Sequence, residues 1–205
     1  MKIRRLESDC ELVRRSKADL RELLSQPSEA DLRVCPECTL TCPSCGSTAC
    51  TCVCSMDCQH IPAQMTSDSR FPIEPAIAPL VYALSSLRVC EPCWSCEGHA
   101  DAQGKVIRIP RVWFYCRSLT YPRLMDRYFS HLKLKKRLNY PWHLCVTHSD
   151  ADNADTAFSI EPELTYVERP TLDLLQKDIR PIADGLAAFT RTEARARLGA
   201  GPSRV

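Results

Sequence analysis

The stretch "KVIRIPRVWFYCRSLTYPRLMDRYFSHLKLKKRLNYPWHLCVTH" (Lys105–His148) carries two periodicities side by side. Residues 105–119 are rich in β-branched and aromatic side chains and read as one or two strands, with Pro110 marking a turn or bulge. Residues 121–138 switch to helical spacing, placing Leu124, Tyr128, Leu132 and Leu138 on or near one stripe. "WHLCVTH" (142–148) returns to a strand pattern. Strands interleaved with an amphipathic helix predict an α+β fold, with helices packed on a small mixed sheet.

Working outward, "TAFSIEPEL" (156–164) reads as a further strand after an acidic loop. Residues 171–189 look helical, interrupted by Pro181 and weakened by Gly185. A short last helix follows Thr192 and stops at Gly199, before a frayed tail. Towards the N-terminus, 73–87 has helical spacing after its prolines, and 9–26 reads as a helix ended by Pro27. The chain divides into an N-terminal helix (1–34), a cysteine-rich module (35–69), an α+β domain (70–168) and a C-terminal helical segment (169–205).

The cysteine-rich module is a different material. Residues 35–60 hold eight of the fourteen cysteines and one histidine, and 35–69 contain no Lys or Arg. With few apolar residues, such a stretch cannot offset its own ordering entropy and needs cross-links. The N-terminus lacks the apolar core of a signal peptide, and no apolar run approaches the roughly 18 residues of a membrane span. A cytoplasmic location follows as the expectation, where thiols stay reduced and clustered cysteines bind metal.

Cys-x2-Cys pairs aim two sulfurs at one ion. The chain has "CPEC" (35–38), "CPSC" (42–45) and "CEPC" (90–93), the last extended by another such step to Cys96. The candidate ligands are Cys35, Cys38, Cys42, Cys45, Cys50, Cys52, Cys54, Cys58, His60, Cys90, Cys93, Cys96 and His99. They suffice for two or three tetrahedral zinc ions. The first two pairs are too close to share one ion without strain, so each finds partners further along, and Cys90, Cys93 and Cys96 staple the insertion to the domain. An iron–sulfur cluster is the alternative, since "CPECTLTCP" and "CEPCWSC" each match part of a ferredoxin-type run. All-cysteine sites are mostly structural, and the lone Cys10, Cys116 and Cys145 read as small buried hydrophobes.

Other chemistry is sparser. His143 and His148 flank a strand and read as strand-end residues, with a second metal site as the alternative. The loop "HSDADNADTAFSIE" (148–161) lacks an acid at the fifth position of a calcium loop and puts Asp155 where glycine should turn. The 121–138 helix carries six basic residues against one acidic, so Arg127, Lys133, Lys135, Lys136 and Arg137 form a candidate contact face for a protein or nucleic-acid partner. The net charge of +2 excludes a molecule that binds polyanions over its whole surface.

The order of a Pro-Leu-Val helix, a short link, "SCEGH" (95–99) and a strand, over residues 73–115, resembles the opening of the tRNA wybutosine-synthesising methyltransferase family. It is also similar to small uncharacterised proteins carrying Ser-Cys-x-Gly-His. Ser95, Cys96 and Gly98 match that family's Ser-Cys-Ser-Gly-Arg signature, with His99 in place of the arginine. The resemblance implies a methyl donor and a tRNA guanosine derivative. The expected function is a multi-zinc accessory protein. The alternative is an enzyme, methyltransferase-like or iron–sulfur redox, with its site around Ser95–His99.

Overall fold

The computed structural model describes residues 7–26, 73–148 and 156–199. In chain order the elements are α1 (Glu7–Ser25), α2 (Ala78–Ser85), β1 (Cys90–Cys96), β2 (His99–Ala100), β3 (Val106–Arg108), β4 (Arg111–Cys116), α3 (Thr120–Leu134), β5 (Trp142–His148), β6 (Thr156–Pro162) and α4 (Leu172–Gly199). The architecture is α+β: a four-stranded sheet in the order β1-β4-β6-β5, and a two-stranded ribbon of β2 and β3.

All pairings in the main sheet are antiparallel, where a mixed sheet was the expectation. The reason is topological. The β4–α3–β5 crossover leaves β4 and β5 pointing the same way, but β6 returns between them, so the two parallel strands never touch.

Alternation along the strands assigns the two faces of the sheet. Val112, Phe114, Phe158, Ile160 and Trp142 turn inward and pack with α2, α3 and α4 in one continuous core. That core includes the fully buried Ile77, Leu80, Leu84, Leu124 and Leu186. Each such side chain contributes about 1.5–3 kcal/mol relative to exposure. The opposite face carries Trp94, Arg111, Trp113, Tyr115, His143, Cys145 and Glu161, all half-buried, and among the described residues it bears no helix of the core.

Polar ties fix how the helices sit. Asp19 of α1 accepts hydrogen bonds from Ser118 Oγ (2.6 Å) and Thr120 Oγ1 (2.9 Å), setting a carboxylate at the start of α3 where the helix dipole favours it. Asp178 of α4, almost wholly buried, accepts from Asn139 N and Nδ2 (both 2.8 Å), Tyr140 N (3.0 Å) and Trp142 Nε1 (3.3 Å). One carboxylate thereby holds the whole turn between α3 and β5. Arg191 of α4 donates to the Leu23 carbonyl (2.9 Å), the Gln26 carbonyl (3.0 Å) and the Ser86 carbonyl (3.4 Å), serving the C-terminal ends of α1 and α2 together.

α4 runs unbroken through Pro181, against the expected interruption. Proline removes one helical hydrogen bond, yet packing on α1, α2 and α3 holds the helix through it. Gly185 is a packing device rather than a weakness: a Cβ there would overlap the Tyr128 hydroxyl, which donates to the Pro181 carbonyl (3.0 Å). α3 stops at Leu134, short of the expected 138. Lys136 adopts φ +49°, and the bonds Arg137 N–H to Leu132 O (3.1 Å) and Lys136 N–H to Lys133 O (3.1 Å) close the helix with a Schellman motif.

Candidate metal centre

Cys90, Cys93 and Cys96, expected to staple the cysteine-rich insertion to the domain, lie along strand β1. A separation of six would put Cys90 and Cys96 on one face of a regular strand. Pairing with β4 slips between Pro92 and Trp94, and this bulge inserts Cys93 as the extra residue. Cys90 therefore faces the core, opposite Cys116 of β4 with the two Sγ atoms 3.2 Å apart. Cys96 turns to the other face, paired with Arg111. Cys93 stands between them, its thiol pushed up to about 11 chiefly by burial.

At the end of β1 the structure brings Cys96 and His99 together with Glu74, and their ligand atoms all lie within 4.8 Å of one another. Local chain geometry explains each placement. Glu74 sits in the turn leading into α2, its carbonyl accepting from Ile77 N (3.2 Å) and Ala78 N (3.1 Å). Gly98, at φ +85°, reverses the chain between Cys96 and His99. No other residue fits there: a Cβ would lie 2.8 Å from both Leu172 Cδ1 and Pro110 Cδ. His99 is then held in the β2–β3 ribbon opposite Arg108.

Hydrogen bonds brace the corner. Glu97 N–H donates to Glu74 Oε2 (2.7 Å), Ala76 N–H donates to Glu97 Oε2 (2.9 Å), and Gln176 Nε2 donates to the Glu97 carbonyl (3.1 Å). His99 Nε2 lies 3.3 Å from Glu74 Oε1, and Gly98 N–H lies 3.4 Å from Cys96 Sγ. Burial raises the Glu74 carboxyl, reinforced by the Glu97 charge and opposed by the Glu97 N–H, His99 and Arg108. Burial also raises the Cys96 thiol, against the Gly98 N–H, Arg108 and Arg111.

A thiol, an imidazole and a carboxylate are the ligand types zinc takes. Tetrahedral zinc spaces its ligand atoms about 3.3–3.8 Å apart, so the three donors need only sub-ångström to ångström adjustments. Three protein donors leave one coordination position for water or a further ligand. Glu74 was missed in the sequence because no spacing motif connects it to a cysteine 22 residues later. Ser95 is buried on the core side, with its Oγ lacking a hydrogen-bond partner. The candidate ligands Cys35, Cys38, Cys42, Cys45, Cys50, Cys52, Cys54, Cys58 and His60 lie outside the described residues.

The basic face divides into two parts. Arg127 pairs with Glu193 (3.0 Å) and Lys133 with Glu163 (3.5 Å), while Lys135, Lys136 and Arg137 form an exposed cluster at the end of α3. No helix of the described residues is long and apolar enough to cross a membrane. Compared with protein-family models, curated proteins and solved structures, the chain matches none.

Proposed function

We propose that the chain is a zinc-binding accessory protein in which Glu74, Cys96 and His99 hold one ion, beside further zinc held by the cysteines of 35–58. The observation that carries this reading is the convergence of three different donor types around a glycine turn that admits no side chain. The ion fastens the turn entering α2 to the corner between β1 and β2, next in sequence to the cysteine-rich stretch. Its role is therefore to hold the insertion against the domain, with a total of two or three ions. The exposed Lys135, Lys136 and Arg137 supply the contact face for an acidic protein or a nucleic acid, since Arg127 and Lys133 already have carboxylate partners.

Elemental analysis with an anaerobic visible spectrum tests the metal. The expected protein is colourless, contains zinc, and loses one equivalent in both Cys96→Ser and His99→Gln. Iron with a visible charge-transfer band, or unchanged zinc in both variants, overturns the reading. Charge reversal at Lys135, Lys136 and Arg137 should shorten retention on a heparin column while leaving the zinc content constant.

A further inference from the structure

The helix-free face of the sheet holds a second set of donors, independent of the first. His143 and Cys145 are two residues apart on β5, so both side chains leave the strand on the same side. Glu161 of β6 is the cross-strand partner of His143, and Ser159 is the partner of Cys145. Trp142 and Ile160, their neighbours in sequence, fill the core, which directs His143, Cys145 and Glu161 to the opposite face. Their ligand atoms lie within 4.8 Å of one another, and Cys145 Sγ is 3.1 Å from His143 Nε2.

The Glu161 carboxylate is already oriented. Ser159 Oγ donates to its Oε2 at 2.8 Å, and Arg111 Nη1 lies 3.7 Å from the same atom. Such outer partners are what fix a carboxylate for metal ligation. Two neighbouring strands supply all three donors, so the set depends on backbone register rather than on a loop.

A thiol beside an imidazole also suits a nucleophile. That role needs a thiolate favoured by its surroundings. Here burial pushes the Cys145 thiol up, and Glu161 and Glu163 push the same way against Arg111.

We propose that His143, Cys145 and Glu161 form a second site for a zinc-class divalent cation, with a fourth position open to water or an added ligand on the helix-free face. One sulfur, one nitrogen and one oxygen donor suit a borderline-soft ion better than magnesium or calcium. The site sits beyond Arg111 from the first: Cys96 pairs with Arg111 across β1 and β4, and Arg111 reaches Glu161 on β6. It shares no ligand with the Glu74 group, so the two can fail separately.

The test is zinc binding by the full chain, with alkylation of each cysteine mapped by peptide mass spectrometry. In metal-free protein, Cys145 should react with iodoacetamide, and zinc alone should slow that reaction at least tenfold. Cys145→Ser and Glu161→Gln should each lower zinc stoichiometry by one while leaving the zinc protection of Cys96 intact. Equal alkylation of Cys145 with and without zinc overturns the proposal, and this readout needs no variant to fold. Loss of Cys96 protection with Cys145 still protected would sink the first site and leave the second standing.

Discussion

Cys90 and Cys116 face each other as register partners across β1 and β4, inside the core, with their sulfurs 3.2 Å apart. Burial holds the Cys90 thiol well above its usual range, and Cys116 adds to the effect, so thiolate is scarce and exchange is slow at neutral pH. A thiol oxidant such as diamide should nonetheless join the two, because their backbones are already paired. Peptide mapping under non-reducing conditions should find the Cys90–Cys116 link, and Cys116→Ser should abolish it. A Cys90–Cys96 link instead would contradict the placement of those residues on opposite faces.

Gly98→Ala should damage the Glu74 centre more than a surface substitution does. The position requires φ +85°, and an added Cβ meets Leu172 and Pro110 at 2.8 Å. A cost of about 1–3 kcal/mol is expected from the backbone conformation alone. Thermal melting and zinc stoichiometry, measured on the same sample, should both fall. Retention of a full complement of zinc would show that the turn does not position the ligands.

Asp178 concentrates four hydrogen bonds on one buried carboxylate. Asp178→Ala leaves those donors without their acceptor and should cost about 3 kcal/mol in urea unfolding. Zinc at the Glu74 group should be unchanged, since the turn that Asp178 serves is remote from that group in sequence, whereas it directly precedes His143 of the second group.

Tyr128 gives a pH signature. Burial chiefly, and the Asp184 charge with it, push its hydroxyl up to about 12, with Arg137 and the Gly185 backbone opposing. A folded value above the unfolded one means that the stability is intact below pH 10 and declines as pH rises towards 12. The decline attributable to this residue should reach roughly 2–3 kcal/mol. Tyr128→Phe should flatten the urea midpoint over that range by comparison with the parent chain, while losing the bond to Pro181. Equal slopes in the two proteins would show that the hydroxyl is not constrained. Tyr121, whose hydroxyl donates to Glu22 (2.7 Å), is also raised and accounts for slope that remains.

What sequence could reveal followed the length of each periodic signal. β5 was legible to the residue, because "WHLCVTH" sets Trp142 and Leu144 towards the core and His143 and Cys145 on the open face. α1 and β6 came within two residues at each end. β1 was not legible as a strand, since three cysteines at x2 spacing look like ligand knuckles. A bulge at Cys93, invisible in composition, decides which of them can meet. Pro181 misled in the other direction: a local rule predicts a break, but three neighbouring helices supply the packing that overrides it. Of the candidate group, Cys96 and His99 were named from their types and closeness. Glu74 joins them only through the tertiary fold. His143 was read mainly as a strand end, because only the β5–β6 register sets Glu161 beside it.

The Arg191 guanidinium has a consequence for the order in which the chain is made. It reaches back 168 positions to the Leu23 carbonyl. At a synthesis rate of roughly 5–20 residues per second, α1 waits about 10–30 seconds before this partner exists. Throughout that interval Leu20 and Leu23, both buried in the finished molecule, lack the neighbours supplied by α4. Until α4 emerges, the nascent chain must therefore carry an apolar helix stripe that α3 covers only in part. This makes α1 the segment where a holding chaperone would be most useful.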